Sequence, residues 1–325
     1  MKRILIIRFS SIGDIVLTSP VIRCLKKQLP DTDIHFLTKE QYLPILRANP
    51  YLSKVWLYNN NFRELLPVLK NEGFDFIVDL HKNFRSFYVR SQIRVPAGSF
   101  PKLNLKKWLA VNLRINFLPA IHIVDRYFRS VEKPGIVNDG EGLDYFIPPE
   151  DEFMPGNLPD FFSRGYVAIV IGGKHATKIL PEDKVTEVCL KLRKPVILLG
   201  GKEDRERGEQ IVAAAGEKVY NSCGMISLNQ SASIIRQAVS VLTNDTGLMH
   251  IAAAFNKRIV SVWGNTIPAF GMFPYLRKEH RNNSFIAEVR DLPCRPCSKL
   301  GYPECPKKHF RCMNQIDVEE IVRHL

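Results

Sequence analysis

Short apolar runs recur along the chain, and between them lie longer stretches whose apolar residues return at helical spacing. Ile4-Leu5-Ile6-Ile7 opens the series. Runs of this kind, rich in β-branched residues and bounded by turn residues, suit strands buried on both faces of a sheet. The pattern predicts strands at residues 4–9, 34–38, 54–57 and 74–80, a helix running toward Gln28, and another between Phe62 and Glu72. It fades over residues 136–164, which hold Pro148, Pro149, Pro155 and Pro159 beside Glu150, Asp151 and Glu152. Such a stretch reads as a domain boundary. The alternation then restarts. Strands are predicted at residues 166–171, 195–199, 218–221, 239–243 and 258–262, with helices at 182–192, 204–215, 228–238 and 248–255.

Strands alternating with helices imply βαβ units and a parallel sheet. With 325 residues, the chain exceeds the ~250–300 at which a single core stops growing. Two doubly wound, Rossmann-like domains are therefore expected, over residues 1–155 and 156–314. Residues 315–325 should add a final helix of the kind that often returns to the first domain. Two such domains facing each other across a cleft form the GT-B architecture of nucleotide-sugar transferases. Ligands of open α/β sheets bind beyond the carboxyl ends of the strands, so the loops just after strands should hold the chemistry.

Four loops do. Asn244-Asp245-Thr246-Gly247-Leu248-Met249-His250 follows a strand and opens a helix. The free N–H groups and positive end of that helix favour a diphosphate, and glycine allows close approach. A capped helix with a core histidine is the alternative reading. Gly172-Gly173-Lys174-His175-Ala176-Thr177-Lys178-Ile179-Leu180-Pro181-Glu182 offers lysines and a hydroxyl to phosphate, although the Walker spacing is absent. In Gly200-Gly201-Lys202-Glu203-Asp204 a carboxylate can accept from ribose hydroxyls, or simply start a helix. Asp14, after Gly13, stands at the first strand-to-helix turn. A carboxylate there can take the proton of an attacking hydroxyl, and one suffices for an inverting displacement. Helix capping is the competing role.

Taken together these loops resemble glycosyltransferase family 9, the ADP-heptose:lipopolysaccharide heptosyltransferases. The matching segments are Arg8-Phe9-Ser10-Ser11-Ile12-Gly13-Asp14, Asp79-Leu80-His81 before a basic loop, Lys178-Ile179-Leu180-Pro181-Glu182, and Asp245-Thr246-Gly247 with His250. The resemblance implies that Asp14 is the catalytic base, with Ser11 and Gly13 beside it on the acceptor side. It implies that Lys178, with Thr177, binds the donor phosphates, and that Asp245 holds hydroxyls of the donor sugar. Thr246 and Gly247 correspond to the diphosphate-binding helix start, Glu203 to a ribose ligand. Gly224-Met225-Ile226-Ser227 falls where adenine is lined mainly by backbone. Family members need no metal or other cofactor. The lysine loop lacks the tryptophan or arginine of well-known members, and residues 263–275 are idiosyncratic, so another nucleotide sugar remains the alternative donor.

Charge adds a second substrate. The net charge is +13, and residues 80–124 contain no Asp or Glu. They carry Lys82, Arg85, Arg90, Arg94, Lys102, Lys106, Lys107 and Arg114, interleaved with Phe84, Phe87, Tyr88, Phe100 and Trp108. This directed positive field suits an anionic glycolipid acceptor at a membrane surface. Lys82 and Arg85 are expected to contact acceptor anions, and residues 103–113 to lie on the membrane. A non-catalytic binder of anionic lipid or nucleic acid would share this charge, but no nucleic-acid motif accompanies it, and such a binder has no use for Asp14, Lys178 and Asp245. The N-terminal apolar run ends at Arg8, shorter than a signal-peptide core of ~7–15 residues. No stretch reaches the ~18 apolar residues of a membrane helix. The chain is thus expected in the cytoplasm, peripheral on the inner membrane face. Cys294, Cys297, Cys305 and Cys312 leave two readings open, structural zinc through the first CxxC pair or reduced thiols in a surface segment.

Overall fold

The computed structural model describes residues 1–154, 156 and 158–325. It forms two compact units, one of residues 1–102 and 121–148, the other of residues 103–120 and 149–325. The expected boundary after Pro155 falls on a residue outside those described.

The first unit holds strands β1 (Arg3–Ile7), β2 (Asp33–Thr38), β3 (Lys54–Leu57), β4 (Phe76–Asp79) and β5 (Ala97–Ser99). They lie in the order β3-β2-β1-β4-β5, and every pairing is parallel. Its helices are α1 (Ile12–Val16), α2 (Ser19–Gln28), α3 (Leu43–Leu46), α4 (Phe62–Asn71) and α5 (Phe84–Ile93), with α7 (Ile123–Phe128) after the intervening α6 (Asn104–Asn112), which belongs to the second unit. Ile4, Leu5, Ile6 and Ile7 are fully buried, as a central strand covered on both faces requires. The predicted helix toward Gln28 is in fact two, α1 and α2, separated at Leu17-Thr18. Strand β5 escapes the apolar pattern because Ala97-Gly98-Ser99 is small. A Cβ at Gly98 would lie 1.9 Å from the Ser130 carbonyl oxygen, so only glycine lets the strand pack there.

The second unit holds β6 (Val167–Val170), β7 (Val196–Leu199), β8 (Val219–Asn221), β9 (Ser240–Asn244), β10 (Arg258–Trp263) and β11 (Ser284–Glu288). Their order is β11-β10-β9-β6-β7-β8, again all parallel. Helices α8 (Glu182–Lys191), α9 (Arg205–Ala215), α10 (Leu228–Gln237), α11 (Gly247–Ala254), α12 (Arg311–Asn314) and α13 (Val318–His324) complete it. Numbered within each unit, both sheets have the doubly wound order in which the first strand neighbours the second on one side and the fourth on the other. The strand order reverses between β1 and β4, and between β6 and β9. These two switch points are where such sheets bind ligands.

The last helix packs within the second unit. Val318 and Ile321 of α13 join the apolar core of the second unit with Val185, Val188 and Met313, so the helix closes the unit from which it comes. Asp317 caps it, accepting from the N–H groups of Glu319 and Glu320.

Candidate functional site

The loops at the two switch points carry the candidate chemistry. In the first unit, Arg8 leaves the end of β1 and stays buried. Its guanidinium donates to the Ser10 carbonyl (2.7 Å) and to the Leu80 carbonyl beyond β4. The remaining arm meets Asp14 Oδ1 at 2.6 Å. Asp14, in α1, also accepts from the Ser11 hydroxyl at 2.8 Å and the Ser11 N–H at 3.3 Å. Burial alone would raise the Asp14 carboxyl, but the Arg8 charge and the Ser11 hydrogen bonds hold it below its ordinary range. Asp14 is therefore an ionised carboxylate at neutral pH, with its side chain still 21% exposed. Ser11 is exposed and Gly13 is buried within α1.

Beyond β4, Asp79 is fully buried. It accepts from the backbone N–H groups of His81 (3.0 Å) and Lys82 (2.7 Å) and from the Ser86 hydroxyl (3.0 Å). Ser86 is also part of the cap that Asn83 sets at the start of α5. The matched Asp79-Leu80-His81 segment is thus shaped by a buried acid. The Lys82 ammonium donates to the Phe100 carbonyl at 3.0 Å, while Arg85 is exposed on α5.

In the second unit, Lys178 and Asp245 come together from two loops, Nζ to Oδ2 at 2.6 Å. Thr266, after β10, donates its hydroxyl to the same carboxylate oxygen at 2.8 Å. Asn244 sets this arrangement. Its buried amide donates to the carbonyls of Val170 (3.1 Å) and Gly172 (3.3 Å) and accepts from the Leu180 N–H (3.0 Å). One side chain thereby fixes the end of β6, the lysine loop and the end of β9. Gly247 opens α11, and Thr246 precedes it in extended conformation. The Thr246 hydroxyl is buried without a hydrogen-bond partner among the described residues, at a helix start whose N–H groups are themselves unspent. A Cβ on Gly173 would stand 3.4 Å from the Thr246 methyl, which keeps the two loops close. His250 is buried in α11.

The remaining predicted donor ligands separate into exposed and structural groups. Glu203 is exposed. Its neighbour Asp204 is buried and takes the Gly201 N–H (2.9 Å) and Arg207 (2.9 Å), so the helix-starting role belongs to Asp204. Met225 is 55% exposed. It sits after Gly224, whose positive φ of 69° and close approach to Lys202 leave no room for a side chain. Thr177 is buried. Its hydroxyl donates to the Tyr302 carbonyl (3.1 Å) and accepts from the Tyr302 N–H (2.8 Å), so it clasps two loops.

Residues 62–300 match the family model described as glycosyltransferase family 9 (heptosyltransferase). The chain belongs to glycosyltransferase family 9. This family 9 protein is 26% identical to lipooligosaccharide heptosyltransferase 2 of Haemophilus ducreyi, over 82% of this chain and 85% of that one. It is 24% identical to lipopolysaccharide heptosyltransferase 2 of Escherichia coli, over 82% and 84% of the two chains. Among solved structures, the ADP-heptose LPS heptosyltransferase II of E. coli superimposes with a TM-score of 0.73 at 21% identity, covering 100% of this chain and 97% of that one. A family 9 glycosyltransferase of Veillonella parvula gives 0.71 at 21% identity, covering 89% and 86%. The fold is GT-B, and the protein is a glycosyltransferase.

In this family 9 chain the late cysteines are free thiols. Among the described residues no group of His, Cys, Asp and Glu is placed to hold a metal. Cys312 faces the apolar core, where burial pushes its thiol up to about 11. The cysteine-rich segment braces the loops that carry Thr177, Lys178 and Asp245. Arg295 donates to the carbonyls of Trp263, Gly264 and Thr266, and Tyr302 holds Thr177. The spacing of sequence motifs carries no sign of Thr266 or Tyr302, because each meets its partner only after folding. No helix among the described residues is long and apolar enough to cross a membrane.

Proposed function

We propose that this chain is an inverting heptosyltransferase that moves a heptose from ADP-heptose to the anionic Kdo-lipid A inner core of lipopolysaccharide, without a metal. The observation that carries the reading is the pair of switch-point sites. One presents an ionised, accessible carboxylate. The other presents a lysine and an open helix start. Asp14 takes the proton of the acceptor hydroxyl as that oxygen attacks the anomeric carbon. The new C–O bond forms as the bond from that carbon to the diphosphate oxygen breaks, which inverts the centre. The oxocarbenium-like transition state of glycosyl transfer asks little basicity of the carboxylate. Lys178 and the N–H groups at Thr246–Gly247 neutralise the departing ADP, the task a metal performs elsewhere. Asp245 receives sugar hydroxyls, Glu203 the ribose, and the Gly224–Met225 turn the adenine.

The acceptor reading rests on the acid-free stretch. In the first unit Phe84 (83%), Phe87 (61%) and Tyr88 (40%) are exposed around Arg85. In the second, Leu105 (71%) and Trp108 (52%) are exposed beside Lys106 and Lys107. Aromatic and basic residues side by side suit the surface of an anionic membrane, on its inner face.

The test is transfer by the full chain from ADP-heptose to Kdo-lipid A in the presence of EDTA. Release of ADP with an inverted anomeric linkage is expected. Consumption of a different nucleotide sugar in place of ADP-heptose would overturn the donor. Loss of activity in EDTA that a divalent ion restores would overturn metal independence.

A further inference from the structure

His81 lies at the first switch point, its backbone N–H held by the buried Asp79. Its ring meets Phe9 edge-on, with centroids 5.3 Å apart at 82°. The chain just before it is held on two sides. The Leu80 N–H donates to the Ile7 carbonyl at 3.1 Å, and the Leu80 carbonyl accepts from Arg8. Arg8 is the residue that grips Asp14, so one guanidinium fixes both the carboxylate and the backbone that carries the imidazole.

The two ring nitrogens differ. Nδ1 is buried with no hydrogen-bond partner among the described residues, whereas the residue as a whole is partly exposed. An orphaned N–H is rarer in proteins than an orphaned acceptor. The proton therefore belongs on Nε2, and the ring offers a single N–H at its accessible side. The ring also stays uncharged. Burial first, then the positive charges of Arg8, Lys102 and Arg85, push the imidazole down to about 3 against the opposing pull of Asp14. The result is a hydrogen-bond donor whose strength does not change across the working pH range, set among the cations Arg8, Lys102 and Arg85.

We propose that His81 binds the acceptor sugar, its Nε2–H donating to a sugar oxygen next to the hydroxyl that Asp14 deprotonates. A fixed N–H at this place selects the hydroxyl by orientation. The assignment rests on the reading of Asp14 as the base on the acceptor side.

The experiment compares His81→Gln, His81→Asn and His81→Leu in the full chain, with a soluble, deacylated Kdo-bearing acceptor. Glutamine places an N–H near the position of Nε2, whereas asparagine reaches only that of Nδ1. Binding of the acceptor is measured by calorimetry as well as by KM, so the result does not depend on which donor is used. Losing one hydrogen bond to a ligand is expected to weaken acceptor binding about tenfold in the Asn and Leu variants. The Gln variant should stay within about threefold of the native chain, with KM for the donor and the ADP-induced rise in unfolding temperature unchanged in all three. Native affinity in His81→Leu would overturn the proposal. So would equal loss in the Gln and Asn variants at an unchanged unfolding temperature. Survival of transfer in Asp14→Asn would instead overturn the reading of the base, and the binding series would still report on His81.

Discussion

Each sheet carries an ion pair at its switch point, with nitrogen and oxygen 2.6 Å apart in both, yet the two pairs are built for different work. In the first, the cation is the immobile partner. Arg8 is 9% exposed along its side chain and spends its other donors on two carbonyls, leaving Asp14 as the more accessible member at 21%. In the second, exposure is 17% for Lys178 and 11% for Asp245, and the acid is the anchored member through Thr266. An arginine fork locks geometry, whereas a lysine is a point charge on a flexible stem. On the proposed reading, the first pair presents an anion to a proton, and the second stores a cation that can move onto a diphosphate when one arrives.

Substitutions can break this contrast. The largest effect is expected from Asp14→Asn, with kcat lower by about 10²–10⁴-fold and ADP affinity unchanged by calorimetry. Full activity in that variant would end its assignment as the base. Lys178→Met should lower kcat/KM by about 10²–10³-fold, and Lys178→Arg should recover only part of this if a movable point charge is what matters. Initial rates over a range of donor concentration decide it.

Arg8→Met sharpens the comparison through pH. The native Asp14 carboxyl is held below its ordinary range. The pair's contribution to stability is thus complete above the unfolded-state pKa, about 3.9, and is lost as pH falls through the lower folded value. Without Arg8, burial is opposed only by the Ser11 hydrogen bonds, and the carboxyl rises. The acid limb of kcat/KM should move toward neutral pH, so the rate in mildly acid solution should fall through loss of the ionised form. Stability at neutral pH should drop by about 3 kcal/mol for a buried charge left without its partner. An unmoved acid limb would show that Arg8 does not set the charge of Asp14.

The smallest effect is expected from Thr177→Val. It removes the hydroxyl that pairs with both backbone groups of Tyr302 and should cost about 1–2 kcal/mol. For a unit of this size that lowers the unfolding temperature by about 2–8 °C, with a weaker loss of donor affinity than in Lys178→Met. A loss of affinity equal to that of Lys178→Met at unchanged stability would return Thr177 to direct contact with the phosphates.

The sequence makes the parallel strands legible because strands such as Ile4–Ile7 must be apolar on both faces, and it places Asp14, Lys178 and Asp245 because loops after strands are short and rich in polar residues. What escapes is whatever depends on neighbours distant in the chain. Thr177 and Tyr302 are 125 positions apart, and neither residue type announces a clasp. The choice between Glu203 and Asp204 turns on which carboxylate reaches back to Gly201, a matter of backbone path. His81 is visible as a letter in a motif, but the inequality of its two nitrogens arises only when Phe9 and Arg8 close around it. The small strand Ala97–Ser99 is hidden for a related reason, since its glycine is dictated by the Ser130 carbonyl against which it packs.

The division of the chain has a consequence for how the protein is made. Residues 103–120 leave the ribosome while the first unit is still incomplete, but they cluster with residues 149–325. Lys107 lies over the Phe270 ring at 5.3 Å, and Arg114 reaches the Pro296 carbonyl. Helix α6 must therefore wait through the synthesis of most of the chain before its partners exist. A fragment cut at Pro149 would separate the second unit from part of its own packing, so this enzyme cannot be divided into two self-sufficient halves by a single break.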